Sequence, residues 1–399
     1  MNIVQVEDFF HPDAGYQINI LSKYLVKAGH QVHIITSQLD KIPDYLTGFF
    51  GKENIAVKDH AYEVANGVHI HRVPIHAYLS GRAIYHRSIF SFIRYLKPDV
   101  LYVHGNDTYF GLRVLHNTKR FPCAIISDSH MLSMASNNRF NKLFHWFYRT
   151  FITPKIIKNN LQVIRTQNDD YVEKVLNIPL SQAPWISYGS DTLLFHPDET
   201  VKANFRKEHG IGAKDFVVIF TGKLDESKGG ALLAETFKEA FSANRPVVLV
   251  VVGNPTTGEY GEKVEAIFQA SQNRIIRFPT QKYADLAKFY QAADLCVFAK
   301  QCSLSFYDAQ SCGVPVLSEN NNINVDRCSH QNGWNFTTDS VDSFREKLEE
   351  ILAMDSDSYQ QVQKNATAFI LQNYDYKKKA EEYIKFIQKV YDDYKGANT

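Results

Sequence analysis

Residues 298–316 read FAKQCSLSFYDAQSCGVPV, and the fold is decided by what lies on either side of this stretch. An apolar run, Leu295 to Phe298, leads into it, and a second, Val314 to Leu317, closes it. Between them stand small polar residues, one cation, Lys300, and one anion, Asp308. Apolar run, polar loop and helix start, repeated along a chain, are the marks of a parallel sheet wound with helices. In such a sheet the loops after the strands share one edge, where the first amides of each helix point outward unpaired and accept anionic ligands.

Working outward, the same alternation recurs. Phe216–Phe220, Pro246–Val252 and Arg274–Phe278 predict strands, separated by helices over Gly230–Phe241, Glu259–Ser271 and Tyr283–Ala292. Towards the N-terminus, strands are expected at Asn2–Val6, Val32–Thr36, Val68–Val73, Val100–Val103, Cys123–Ile126, Val163–Arg165 and Trp185–Ile186. A helix carrying Ile18, Leu21, Leu25 and Ala28 follows the first of these, and one carrying Ile84, Ile89, Phe92, Ile93 and Leu96 precedes Val100. Residues 38–66 read as an irregular polar insertion and SENNNINVDR, after Leu317, as a loop; helices are expected at about 340–353 and 357–371. A last amphipathic helix sets Ala380, Tyr383, Ile384, Ile387, Val390 and Tyr391 on one stripe. The fold class is α/β with two doubly wound domains: 1–188, 189–374, and a terminal helix, 375–399.

A chain of 399 residues exceeds one ordinary core. Its 44 Lys and Arg against 43 Asp and Glu leave a net charge of +1, so no overall field favours nucleic acid. Five cysteines without metal-ligand spacing fit a reducing, cytoplasmic setting, and no apolar run approaches the ~18 residues that span a bilayer. Residues 139–158, RFNKLFHWFYRTFITPKIIK, carry five cations, no carboxylate and many aromatics. That pattern suits either a core-facing helix with a solvated basic face or a helix lying on an anionic membrane.

Chemistry gathers at the strand ends. TGKLDESKGG, residues 221–230, frees the backbone at Gly222, brackets a turn with Lys223 and Lys228, and offers Ser227 as a helix cap. Two ammonium groups beside a helix start suit a diphosphate, although solvated surface lysines give the same pattern. A second glycine turn, Gly253-Asn254, follows the next strand. Asp308 is placed either to accept both ribose hydroxyls or to stabilise a helix start, and the amides of Ser303, Leu304 and Ser305 face oxygens of phosphate or sugar. In the first domain His104 and His130, with Asp128, follow strands, and Gly15-Tyr16 sits where a loop enters a helix; at Gly15 close ligand approach and a plain tight turn remain equal readings.

The ordered set GKLDESKGG, VVVGN, ADLCVFAKQCSLSFYDAQSCGVPVL and QNGWNF, with FFHPDAGYQINILSKYLVKAGHQVHIIT, SDSH and WISYGSDTLLFHP before it, resembles the retaining GT-B glycosyltransferases of the group-1 (GT4-type) family. The resemblance implies two Rossmann-like domains facing a cleft, the first for an acceptor and the second for a nucleotide-sugar donor, with the last helix returning to the first domain. It implies transfer from a UDP-sugar, or a GDP-sugar, to an acceptor hydroxyl with retention and without a metal or other cofactor, in glycan or glycolipid synthesis; the stretch 139–158 adds the expectation of a place at the inner face of a membrane. By the same resemblance Lys223 and Lys228 hold the donor diphosphate, Asp308 the ribose, and His130 lies near the transferred sugar. Gly15, Gly222, Gly253, Asn254, Lys300 and Ser303 to Ser305 line the donor; Tyr16, His104 and Asp128 line the acceptor. Lys300 stands where the family has a glutamate, and a cation cannot accept bonds from sugar hydroxyls. An acidic donor sugar, a lysine turned to phosphate, or an inactive site would each account for it. The alternative readings are a non-catalytic sugar-nucleotide-binding partner subunit and a sugar-nucleotide epimerase on the same fold.

Overall fold

The computed structural model describes residues 1–43, 47, 50–133 and 140–398. The chain forms two compact units, Met1–Tyr188 together with the chain from Lys377, and Gly189–Tyr376.

The first unit holds β1 (Asn2–Glu7), β2 (Gln31–Ser37), β3 (His69–Val73), β4 (Ile75–Leu79), β5 (Arg82–Tyr85), β6 (Val100–Val103), β7 (Ala124–Ser129) and β8 (Gln162–Arg165). Six of these make a parallel sheet in the order β3-β2-β1-β6-β7-β8, while β4 and β5 form an antiparallel hairpin. The second unit holds β9 (Phe216–Thr221), β10 (Val247–Val252), β11 (Arg274–Phe278), β12 (Leu295–Phe298), β13 (Val316–Glu319) and β14 (Gly333–Phe336), parallel in the order β11-β10-β9-β12-β13-β14. Helices cover both faces of such a sheet, so its central strands are apolar throughout; every residue of β9 and β10 is buried. In each sheet the winding reverses beside the first strand, between β1 and β6 and between β9 and β12. At that reversal neighbouring loops diverge and leave a crevice past the strand ends, so each unit offers one ready binding position.

Several expectations are corrected. Residues 38–66 include the helix Ile55–Asn66, whose weak pattern comes from burying only Asp59 and Tyr62; residues 44–46 and 48–49 lie outside the described ones. Ile84 belongs to β5, not to the following helix, which is Ser88–Leu96. Trp185 makes one bridge to Arg165 and no strand, since Pro184 before it has no N–H to extend the ladder. The Asn-rich segment contains the helix Asn322–Arg327, capped by the Asn321 side chain on the Asn324 amide. The helix after β9 ends at Thr236 rather than Phe241.

The terminal helix, Tyr376–Asn398, buries Ala380, Tyr383 and Ile387; the Tyr383 hydroxyl donates to the Ile186 carbonyl at 2.7 Å and that of Tyr391 to Asp99. Among the described residues no helix is long and apolar enough to cross a membrane.

Candidate functional site

In the second unit β9 and β10 end in two glycines pressed backbone to backbone. Gly222 and Gly253 have φ of 146° and 152°, and a Cβ added to Gly253 would stand 1.9 Å from the Gly222 carbonyl oxygen. The Gly222 amide donates to Val252 and that of Gly253 to Phe278, so neither turn can retreat without losing a sheet bond. Gly253→Ala is therefore expected to destabilise this unit by about 2–4 kcal/mol, seen as a fall of roughly 5–15 °C in its melting transition. An unchanged transition would show that the turns are not held by this contact.

After Gly222 the cap of the next turn is Asp225, not Ser227: its carboxylate accepts the Lys228 amide at 2.8 Å and the Ser227 hydroxyl at 2.7 Å. A charged oxygen is the stronger acceptor there. The left-handed Gly229 then leads into the helix Gly230–Thr236. Lys228 Nζ donates to the Cys302 carbonyl at 3.3 Å, which ties this turn to the loop after β12. Burial holds the pKa of Lys223 and of Lys228 below the ordinary lysine range, with Asp225 opposing it in both.

The loop after β12 is braced from below by side chains of the Asn-rich segment and β13. Gln301, left-handed at φ 58°, donates its amide to Glu319 Oε2 at 2.6 Å, and its carbonyl accepts Asn324 Nδ2. Arg327 donates to the Ser303 carbonyl at 2.8 Å and lies over the rings of Phe306 and Tyr307. The Ser305 amide meets Ser303 Oγ at 3.3 Å and opens the short helix Ser305–Ser311, with Leu304 at its cap position. Lys300 is paired with Asp339 at 2.5 Å, so its charge is answered within the protein. Asp308 lies deeper than a helix-start anion. Its Oδ1 accepts Ser190 Oγ at 2.8 Å and Tyr283 at 3.4 Å, whereas Oδ2 accepts from no described residue. Burial outweighs those bonds and lifts its pKa to about 7.

In the first unit the polar cluster stands at the β1/β6 reversal and centres on Asp128, which is 0% exposed. One oxygen, Oδ1, takes the Gly105 amide at 2.7 Å and His130 Nε2 at 2.8 Å; the other takes Tyr102 at 2.9 Å and His104 Nδ1 at 2.9 Å. The second ring nitrogen of His104 meets Gln5 Oε1 at 3.0 Å, and that of His130 the Tyr188 hydroxyl. Burial pushes the Asp128 carboxyl up, but His130 and His104 outweigh it and hold it well below the usual range. Burial likewise opposes charge on His130, and Asp128 overrides it to lift His130 to about 9. Glu7, at the end of β1, brings its carboxylate within 4.8 Å of both imidazoles, and burial raises its pKa. Three such ligand atoms suggest a metal, yet all four ring nitrogens are already hydrogen-bonded, and a metal would have to break those bonds.

Of the three residues expected to meet an acceptor, His104 and Asp128 are buried, and Asp128 accepts from both imidazoles. Tyr16 is exposed, with Phe9 and Phe50 against its ring, and Gly15 precedes it in the loop between β1 and the helix Gln17–Lys27. His130 has more than a third of its side chain exposed. Gln5, Glu7, Tyr102 and Tyr188, and in the other unit Arg327, Asn324 and Glu319, were not among the expected site residues.

Residues 201–369 match the family described as glycosyl transferases group 1, and residues 14–154 match the glycosyl transferase 4-like domain. The chain belongs to the group-1 glycosyltransferases. A D-inositol 3-phosphate glycosyltransferase of Segniliparus rotundus is 32% identical over 138 residues, 33% of this chain and 30% of that protein. The GPI3 subunit of the Saccharomyces cerevisiae phosphatidylinositol N-acetylglucosaminyltransferase is 21% identical over 90% of this chain and 78% of its own. The chain spans about a third of the length of the first of these relatives. Among solved structures, a glycosyltransferase of Rickettsia africae superposes with a TM-score of 0.73 at 13% identity, covering 98% of each chain. Anabaena HepE in complex with UDP and glucose gives 0.73 at 14% identity, covering 98% of this chain and 100% of its own. These likenesses place the group-1 glycosyltransferase on the GT-B fold.

Proposed function

We propose that the protein transfers a sugar from a nucleotide diphosphate donor, a UDP-sugar first and a GDP-sugar second, to an acceptor hydroxyl with retention of configuration. The observation that carries this reading is the convergence of Gly222, Lys223, Lys228 and the loop Lys300–Ser305 at the β9/β12 reversal, where Lys228 joins the two loops. The UDP and glucose of the HepE structure support the choice of nucleotide. Lys223 and Lys228 neutralise the departing diphosphate, so no metal is assigned to that task. Asp308 meets the ribose through the oxygen left open, and the amides near Ser303 to Ser305, with Asn254, face phosphate or sugar.

The second unit is the donor domain and the first the acceptor domain, with His130 beside the transferred sugar and Tyr16 at the acceptor. The stretch 139–158 seats the protein at the inner face of a membrane, which fits a glycolipid or lipid-linked glycan acceptor. The test is a thermal-shift series with UDP, GDP, ADP and their sugar conjugates, followed by product analysis with the best donor. Stabilisation by one uridine or guanosine pair, growing with concentration, is expected; no shift with any of them refutes the donor site. A second reading, the non-catalytic binding subunit, draws on Lys300 and its Asp339 partner. If Lys300→Glu creates transferase activity where the native protein has none, that reading replaces the first.

A further inference from the structure

The basic aromatic stretch is one unbroken helical run, Asn141–Phe147, a π turn Tyr148–Ile152 and Thr153–Lys158; Arg139 lies outside the described residues. Tyr148, Ile152, Thr153 and Ile156 are buried, so the run is anchored on one side. The other side leaves Leu143 62% and Trp146 57% exposed, with Phe140, Phe147, Phe151 and Ile157 also in solvent. A solvated basic face would account for the lysines, not for this many exposed large apolar groups.

Beside this face opens a cavity of about 450 Å³, lined by Leu112, Arg113, His116, Arg120, Phe147 and Phe151 among others. The guanidinium groups of Arg113 and Arg120 both lie over the Phe90 ring, at 4.4 and 5.3 Å, and neither pairs with a carboxylate among the described residues. Burial, then repulsion from Arg120 and Arg87, holds the pKa of Arg113 down. An apolar wall with two cations at its rim that no described carboxylate pairs is complementary to an amphiphile whose head is anionic.

We infer that this cavity is a discrete site for an acidic phospholipid, its phosphate on Arg113 and Arg120 and its first methylenes against Leu112, Phe147 and Phe151. This deepens, and rests on, the membrane-surface reading of residues 139–158. Leu143 and Trp146 enter the headgroup layer beside it, where an amphipathic ring is favoured. A second copy of the chain is the weaker occupant, since a two-fold interface would set these unpaired cations against their own equivalents.

The test uses the full chain and vesicles of phosphatidylcholine, alone or with equal phosphatidylglycerol. Binding is expected only to the mixed vesicles. Arg113→Gln with Arg120→Gln should weaken it about 30-fold, since each cation near an acidic leaflet is worth ~1 kcal/mol. Lys155→Gln with Lys158→Gln removes equal charge away from the cavity and should weaken it clearly less. Short-chain phosphatidylglycerol, dispersed as monomers, should raise the melting temperature of the native chain to a plateau, and inorganic phosphate should not. Equal loss in the two double variants, equal binding to phosphatidylcholine, an equal rise with phosphate, or an arginine-dependent dimer in sedimentation would each overturn the site. Melting without lipid checks the fold of each variant. The UDP shift is read on the same samples: donor binding without lipid binding discards this site alone, and lipid binding without donor binding discards the transferase reading alone.

Discussion

Asp128→Ala is expected to lower the stability of the first unit by about 3–5 kcal/mol, the cost of removing one partner from a buried charged cluster. Four donors converge on this carboxylate: the Tyr102 hydroxyl, the Gly105 amide, and one nitrogen each of His104 and His130. Alanine leaves the buried Tyr102, Gly105 and His104 groups without this acceptor, and the two imidazoles lose the anion that favours their charge. Asp128→Asn keeps the volume but turns an N–H₂ group towards donors on one side, so a smaller loss of the same kind is expected. Denaturant titration is the measurement, and a change below about 1 kcal/mol for alanine would remove Asp128 from the centre of the cluster.

The same pair fixes a pH signature. His130, lifted to about 9, contributes stability that is complete below its unfolded value of about 6.5 and is lost as pH rises through 9. Asp128, held low, contributes stability that is complete above its unfolded value of about 3.9 and is lost as pH falls below it. This pair therefore contributes most to stability between these limits, and Asp128→Asn should lack its alkaline decline. A titration of the His130 ring by nuclear magnetic resonance separates this from general alkaline unfolding: in the variant its midpoint moves down.

The two sheets were legible because strands buried on both faces are written as unbroken apolar runs, such as Val247–Val252, and because helices of ordinary period lie between them. What failed was short or weakly patterned. The helix Ile55–Asn66 buries too few residues to print a stripe, the β4–β5 hairpin lent Ile84 to a helical period that begins beyond it, and Asn322–Arg327 hides its start in three asparagines, of which Asn321 is the cap. At the site, the strand-end positions of Lys223, Lys228, His130 and Asp308 follow from local pattern, since parallel strands bring their following loops to one edge. Depth does not follow from pattern. Asp128 and Asp308 each read as a rim residue, and each is buried and held by partners remote in sequence: Ser190 is 118 positions from Asp308, and Gln5 is 99 from the His104 it supports. Lys300 is the clearest case. Its charge is paired with Asp339, 39 residues later, on a left-handed turn that no short-range signal ties to it.

Lys223→Ala and Lys228→Ala should each weaken binding of the donor nucleotide by about 10- to 100-fold, through loss of charge-assisted bonds worth about 1.5–3 kcal/mol. The two are not equivalent. Lys228 also holds the Cys302 carbonyl, so its removal should cost about 1 kcal/mol of stability in the donor's absence and loosen the loop after β12. Lys223→Ala should therefore reduce affinity by calorimetry, and Lys228→Ala should reduce it while also lowering the melting temperature of the ligand-free protein. Burial already disfavours the charged form of each ammonium, and an arriving diphosphate reverses that bias by supplying the opposite charge. Binding at alkaline pH must then take up protons, and donor affinity must fall as pH rises towards the lysine pKa of the free protein. Repeating the calorimetry in buffers of different ionisation enthalpy reads that uptake directly. An uptake unchanged in the double variant would place the diphosphate elsewhere, because no solvated lysine pair distant from the ligand could produce it and none close to the ligand could avoid it.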